Sequence, residues 1–242
     1  MCAMNPRLLR PLASGFNPKS ISGLAAWYDA SVASSITIQT GVQKWADLSG
    51  NGRDLIQDTT NNQPAHNSVT LNGKPTVTFD GTNDFLRTAS FTLNQPYTYF
   101  FVFRYESSAT GGRVLDAGTQ GVARSGEFIR IDVNNVWLFA GSILGFNAFP
   151  TGQMEAFNIW DAEFNGASSV VRYRKNVASA SGNAGSNNGS RLTMAANGNT
   201  TAGEFSPLSV AEALVFSRVL AVSEADKIRA YLGKKYNLAY QA

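Results

Sequence analysis

Two consecutive stretches at the end of the chain decide the fold: Val210-Ala-Glu-Ala-Leu-Val-Phe-Ser217, followed by Ser223-Glu-Ala-Asp-Lys-Ile-Arg-Ala-Tyr-Leu-Gly-Lys-Lys-Tyr236. The first stretch is apolar enough for a strand buried on both faces. In the second, apolar residues recur at three- and four-residue spacing, which is typical of an amphipathic helix. We predict one terminal helix, 223–238, capped by Ser223 and packed on a sheet through its apolar stripe. Its basic residues are expected to face mostly water: Lys227, Arg229, Lys234 and Lys235.

Upstream of this pair, short apolar or alternating runs are separated by Gly and Asn turn signals. The longest run, Tyr97-Thr-Tyr-Phe-Phe-Val-Phe-Arg-Tyr105, is too hydrophobic for an exposed edge and predicts a central strand. The polar passage 178–190 suits a mobile hairpin connection at least as well as a recognition loop. Strands are predicted at 23–29, 75–79, 97–105, 113–115, 127–133, 136–140, 154–160, 170–175, 191–194 and 210–217. Many short strands predict an all-β, two-sheet antiparallel jelly-roll sandwich.

Composition excludes several classes of function. The 242 residues include 20 basic and 17 acidic side chains, which give a net charge of +3 without a clustered basic stripe, so nucleic acid is not an expected partner. No apolar run approaches the roughly 20 residues of a membrane span, so no membrane insertion is expected. Cys2 is the only cysteine. An intrachain disulfide and a thiolate zinc site are therefore excluded.

The chain divides into an extended arm, 1–20, and one domain, 21–242. Prolines at positions 6, 11 and 18 disfavour helix in the arm and interrupt any Sec-type signal core. Its apolar residues predict that it is held against something: either a partner chain or the arm's own domain. The residues assigned to this attachment are Arg7, Leu8, Leu9, Arg10, Leu12 and Phe16.

Four motifs, 23–31, 45–53, 75–86 and 210–236, together resemble LamG-like, concanavalin A-type jelly-roll domains. The variant that the chain resembles most occurs in bacteriophage structural proteins, where an arm similar to 5–16 precedes the sandwich. The resemblance implies a virion component, such as a capsid decoration protein or a head or tail fibre. The arm would then dock on capsid or tail subunits, and the protein would assemble in the host cytoplasm as a small cyclic homo-oligomer, such as a trimer.

Carbohydrate binding is the alternative function, because this fold also hosts lectins. A module of this kind would recognise host-surface glycans through loop aromatics and amides. The four tryptophans lie in or beside strand runs, which favours core packing for each of them. Tyr105 and Tyr173 are therefore the glycan-contact candidates. Deletion of the arm would test attachment to the virion, and a glycan array would test sugar recognition.

Catalysis is not expected from the sequence. Laminarinase-type relatives of this fold carry a Glu-x-Asp-x-(x)-Glu strand, whose alternate acids project into one cleft. The nearest acids here, Glu127 with Asp132 and Glu155 with Asp161 and Glu163, do not reproduce that spacing, and strand charges are more often exposed. His66, the only histidine, follows a polar segment and is expected in an exposed loop. We therefore predict a protein that is not an enzyme.

Two loops offer oxygen ligands for calcium, the only cofactor that the sequence leaves open. The candidate ligands are Asp47, Asn51 and Asp54 in the first loop, and Asp80, Asn83 and Asp84 in the second. Phe91 stands at the position where a calcium loop would place its distant bidentate acid. Asp and Asn in such loops also bond their own backbone, and turn formation is the favoured interpretation of both loops.

Overall fold

Residues 15–107, 111–118, 124–174 and 177–240 are described by the computed structural model, and this part of the chain forms seventeen strands and one α-helix. The strands are β1 (Leu24–Asp29), β2 (Ile36–Ile38), β3 (Val42–Trp45), β4 (Leu55–Ile56), β5 (Ala65–Leu71), β6 (Lys74–Asp80), β7 (Leu86–Arg87), β8 (Tyr97–Tyr105), β9 (Arg113–Asp116), β10 (Glu127–Asp132), β11 (Asn135–Phe139), β12 (Ile143–Phe146), β13 (Asn158–Phe164), β14 (Ser169–Tyr173), β15 (Ala178–Gly182), β16 (Thr193–Met194) and β17 (Pro207–Phe216). The helix, α1, spans Val222–Tyr236.

The strands form two antiparallel sheets. Sheet A has the order β15-β14-β13-β8-β17-β6-β5, with β1 also paired to β17. Sheet B has the order β12-β11-β10-β9-β16-β7-β4-β3-β2. This arrangement confirms the predicted all-β sandwich with one C-terminal helix.

Strand β8 lies at the centre of sheet A and is buried on both faces, as predicted. Tyr97, Tyr99, Phe101, Phe103 and Tyr105 join the core between the sheets. The alternate residues Phe100 and Val102 belong to a second apolar cluster beneath the helix. The period-two geometry of a strand thus divides one aromatic run between two cores.

Helix α1 covers the outer face of sheet A. Its Ile228, Leu232 and Tyr236 are fully buried and pack in one cluster with sheet residues that include Leu214 and Phe216. The predicted cap is wrong, because the N-cap is Ala221 and Ser223 lies inside the first turn. Glu224 holds the helix start, since its Oε2 accepts a hydrogen bond of 2.9 Å from the Ala221 amide.

Ion pairs fasten the helix to the sheet, against the expectation that its basic residues mostly face water. Arg229 is buried and donates to both carboxylate oxygens of Asp161 on β13, at 2.9 and 2.8 Å. Lys235 contacts Asp29 and lies 2.7 Å from Glu212 Oε2. Buried carboxylates must be paired, and here the helix supplies the cations.

Several short elements were not predicted from the sequence. Strand β15 lies within the passage expected to be a mobile connection, and β13 lies four residues later than the predicted 154–160. The other strands missed are β2, β3, β4, β5, β7 and β12. Most of these strands have two to four residues, too few to show a period of their own.

Most of the predicted arm lies outside the described residues, including Arg7, Leu8, Leu9, Arg10 and Leu12. Phe16 is described, and its ring centroid is 5.7 Å from that of Tyr231 on α1. That contact lies within the same chain, one of the two alternatives left open for the arm. No helix in the described ranges is long and apolar enough to cross a membrane.

Candidate functional site

The outer face of sheet B differs from that of sheet A, because no described helix packs into an apolar cluster on it. On β11, Val136 and Leu138 enter the core, so Trp137 and Phe139 point outward and are half-buried. Trp137 pairs across the strands with Gly145, and Phe139 pairs with Ile143. The absence of a side chain at Gly145 leaves room beside the indole ring. Two aromatic rings are therefore accessible on adjacent outward positions.

A charged cluster continues this face onto β9 and β10. Glu127, fully buried, accepts hydrogen bonds from Arg124 at 2.6 and 2.7 Å, and from Arg113 at 3.1 Å. Arg113 also pairs with Glu204, at 2.6 Å. The guanidinium of Arg124 lies 4.3 Å from the ring centroid of Phe139. The aromatic pair and the charged cluster are thus contiguous.

A β-bulge brings the cluster together. Leu115 pairs with Phe128 and Arg113 pairs with Ile129, so Val114 is an additional residue on β9. In a regular strand, residues three apart point to opposite faces. The extra residue reverses that alternation, which places Arg113 and Asp116 on the same side of the sheet.

These side chains line a small polar cavity of about 130 Å³. The lining residues are Arg113, Asp116, Arg124, Glu127, Asn197, Asn199 and Glu204. Guanidinium groups and amides provide donors, while carboxylates and amide carbonyls provide acceptors. The cavity therefore combines both kinds of hydrogen-bonding group beside an aromatic surface.

The pKa values of two carboxyl groups in the cavity are shifted in opposite directions. Burial, together with the charge of Glu127, raises the pKa of Asp116 to about 6. Burial would also raise the pKa of Glu204, but hydrogen bonding from Asn197 and the charge of Arg113 outweigh it and lower that pKa. Glu204 is therefore ionised at neutral pH, and Asp116 changes its protonation state close to neutrality.

The structure places the predicted glycan contacts elsewhere. Tyr105 and Tyr173 are each only 1% exposed and belong to the core between the sheets. The Tyr173 hydroxyl contacts Gln153 and Asn158. Neither ring has a free face, so their assignment as accessible sugar platforms is wrong. Alternation along β8 and β14 directs both rings inward.

The first candidate calcium loop is occupied by its own turn contacts. Asp47 accepts hydrogen bonds from the amides of Trp27, Ser49 and Arg53. Asn51 donates to the carbonyls of residues 24 and 25, and Asp54 accepts from the Asp47 amide at 2.9 Å.

The second candidate loop has the same character. Asp80 Oδ1 accepts from the amides of Thr82 and Asn83, and Asp84 Oδ2 accepts from the Asp80 amide at 3.0 Å. Within the described ranges, no three His, Cys, Asp or Glu side chains form a group that could hold a metal ion. Calcium at either loop stays a prediction.

The strand acids are also placed differently from expectation. Glu127 and Asp161 are buried and bound to arginines, although strand charges were expected to face solvent. Glu155 pairs with Arg130. His66 lies on β5, half-buried, with its Nε2 3.1 Å from the Ala30 carbonyl oxygen, rather than in an exposed loop.

The residues of the sheet B face were largely missed in the sequence. Trp45 and Trp160 are fully buried, as predicted, but Trp137 is only half-buried. A signal was available, because Val136 and Leu138 flank Trp137 and occupy the inward positions of an alternating strand. Arg113 and Asp116 carried no such signal, since only the bulge brings them to one face.

Solved structures of similar fold include proteins that act on carbohydrates. One is the Trypanosoma rangeli sialidase in complex with sialic acid, which is 12% identical in sequence and has a TM-score of 0.61. The match covers 90% of this chain and 34% of the sialidase chain. Domain 4 of AbnA, a GH43 extracellular arabinanase from Geobacillus stearothermophilus, in complex with arabinotriose, is 10% identical, covers 84% of this chain and 97% of its own, and has a TM-score of 0.59. This chain thus spans about a third of the sialidase's length. No protein-family model and no curated protein sequence matches the chain.

These neighbours correct one prediction and leave three others untested. The prediction that the chain is not an enzyme is overturned, because its structural neighbours are named as a sialidase and part of an arabinanase. The missing Glu-x-Asp-x-Glu strand had excluded only one catalytic arrangement. The lectin-like sandwich agrees with these neighbours. The bacteriophage variant, the virion location and the cyclic oligomer stay predictions.

Proposed function

We propose that this chain is a carbohydrate-binding domain that takes an oligosaccharide across the outer face of sheet B. The observation that carries the proposal is the juxtaposition of Trp137 and Phe139 with the charged cavity. Aromatic faces stack on the CH groups of sugar rings, and the polar groups beside them match sugar hydroxyls. A ligand site of this kind combines an apolar surface with a few placed polar groups.

The arrangement of charges supports a polyhydroxylated ligand over a simple ion. The arginines of the cavity are matched by acids, since Arg113 and Arg124 both bind Glu127 and Arg113 also binds Glu204. Such pairs hold donors and acceptors in fixed positions. The solved complex of the arabinanase domain with arabinotriose, a protein of similar fold, supports an oligosaccharide as the ligand class.

Isothermal titration calorimetry tests the proposal, with arabinotriose and sialic acid as the first probes in a wider oligosaccharide panel. Trp137→Ala should weaken binding by about 2 kcal/mol, or roughly 30-fold, as expected for a central aromatic contact. The folded state should persist because the indole is only half-buried. Analysis of the same mixtures for released sugar shows whether a bound oligosaccharide is also hydrolysed.

Ile38→Ala is the matched control. Ile38 is 53% exposed and lies on β2, at the opposite edge of the same sheet. Its truncation should leave sugar affinity unchanged. Equal affinities of the wild type and Trp137→Ala, or no binding of any panel member at millimolar concentration, would refute the proposed site.

A further inference from the structure

We propose that Asp116 is the positioning residue of the sugar-binding face, and that its ionised carboxylate fastens together the two backbone segments that frame the cavity. This inference rests on the proposed function. Oδ1 of Asp116 accepts a hydrogen bond of 2.5 Å from the Gly118 amide, and Oδ2 accepts one of 2.7 Å from the Gly198 amide. One carboxylate therefore bridges positions 80 residues apart in the sequence.

The two segments that Asp116 joins are in direct contact. A Cβ atom added to Gly198 would lie 2.4 Å from the Gly118 carbonyl oxygen, closer than any side chain tolerates. Only glycine therefore fits at position 198 without a steric clash. The carboxylate stabilises this close approach, because it accepts hydrogen bonds from both the Gly118 and the Gly198 amide.

The segment around Gly198 carries cavity-lining amides. Asn197 Oδ1 accepts from the amides of Asn199 and Gly203, and Asn197 Nδ2 donates to Glu204 at 2.8 Å. Glu204 continues to Arg113 on β9. The bond from Asp116 to Gly198 therefore sets where the 197–199 turn stands relative to the arginines. Asp116 acts through these neighbours, not as a stacking contact itself.

Charged and titratable groups reach Asp116 from several elements. Glu127 on β10 opposes its ionisation, and Arg113 on β9 favours it. The other groups electrostatically coupled to it are Arg87 on β7, Arg124 before β10, and Tyr97 and Tyr99 on β8. Burial and Glu127 dominate, so the pKa of Asp116 lies at about 6. The two backbone amides favour the ionised form, but they do not outweigh burial.

Protonation of Asp116 has two opposite consequences. It relieves the repulsion from Glu127, which favours the folded protein as a whole. It also converts one carboxylate oxygen into a hydroxyl, which is a weaker acceptor, so the hydrogen bond from one of the two amides is weakened. The 197–199 turn is then held less firmly beside Gly118. Sugar affinity should fall as the pH drops through about 6.

Calorimetry with arabinotriose between pH 5 and pH 8 tests this role. The wild type should bind about tenfold more weakly at pH 5 than at pH 7.5, which corresponds to about 1.4 kcal/mol. Asp116→Asn should bind weakly at both pH values, with no dependence on pH. Asp84→Asn is the control, because the pKa of Asp84 is also raised to about 6 while its side chain does not line the cavity. This control should keep the wild-type profile.

A second measurement does not depend on sugar. In ¹⁵N-labelled protein, the amide resonances of Gly118 and Gly198 should titrate together with a midpoint near pH 6, and Asp116→Asn should abolish that titration. Amides that do not titrate, or a pH-independent affinity in the wild type, would overturn the role of Asp116. A wild type that does not bind arabinotriose at pH 7.5, yet shows the coupled amide titration, would count against the sugar ligand and leave the bridge standing.

Discussion

The two outer faces of the sandwich differ in how their buried carboxylates are paired. Sheet A hides its outer face beneath α1, and its buried acids Asp161 and Glu212 are paired with helix cations. Sheet B pairs its buried Glu127 with arginines of its own face, and leaves half-buried rings beside them. On sheet A, charge pairing holds α1 against the sheet. On sheet B, charge pairing fixes the positions of polar groups beside the half-buried rings.

The largest effect is expected from Leu232→Ala on the covered face. Leu232 is fully buried beneath α1, so truncation should lower the free energy of unfolding by about 3 kcal/mol through lost burial and the cavity left behind. Urea denaturation measures the loss. Lys234→Ala, an exposed position on the same helix, should stay within about 0.5 kcal/mol of the wild type. A loss below about 1 kcal/mol for Leu232→Ala would mean that the helix face is not part of the cooperative core.

An intermediate effect is expected from pH, because acids on both faces have raised pKa values. Burial raises the pKa of Asp116 on sheet B to about 6, and burial with the charge of Asp29 raises that of Glu212 on sheet A. The folded state therefore binds protons more readily at these two groups than the unfolded state does. Their contribution to the free energy of unfolding must fall as the pH rises through their folded-state pKa values. The free energy of unfolding measured in urea should therefore increase from pH 7 to pH 5, with Asp116 contributing on the order of 1 kcal/mol.

Site variants assign this pH dependence to one face or the other. Asp116→Asn should remove the sheet B contribution, and Glu212→Gln the sheet A contribution. A remainder is expected from Asp84, because burial also raises its pKa to about 6. If stability decreases steadily from pH 7 to pH 5 in the wild type, the pKa values of the buried acids are not raised in the folded state.

The smallest effect is expected from Gly145→Ala on the open face. An added Cβ would meet the Trp137 ring at 3.7 Å, an ordinary van der Waals contact, so stability should change by less than about 0.5 kcal/mol. Thermal unfolding and sugar titration measure the two properties separately. A loss above about 1 kcal/mol would show that the indole lies closer to β12 than described, and would weaken the case for an accessible ring.

Elements with strong local patterns were predictable from the sequence. The apolar run of β8 specified a central strand, and the spacing of Ile228 and Leu232 specified the helix. Hydrophobic periodicity is a local property, and burial reinforces it. Short strands such as β4 and β7 lack that signal, because two residues acquire strand geometry only from their neighbours.

The outward residues of sheet B were not predicted, for a different reason. Alternation with Val136 and Leu138 predicts an outward Trp137, whereas the general tendency of tryptophan to be buried predicts a core position. Tyr105 and Tyr173 lie in the core because the register of their strands directs both rings inward. Arg113 and Asp116 could not be brought together from sequence spacing, since a bulge at Val114 reverses the alternation between them.

The sequence alone determined that this chain is a two-layer β-sandwich ended by one amphipathic helix, because side-chain period and chain order are local and survive without tertiary contacts. Only the tertiary structure decided which face stays open, which acids are buried, and which carboxylate bridges residues 118 and 198. Those outcomes depend on strand register and on which cation reaches which acid. Both are set by pairing between distant residues, and no window of sequence contains them.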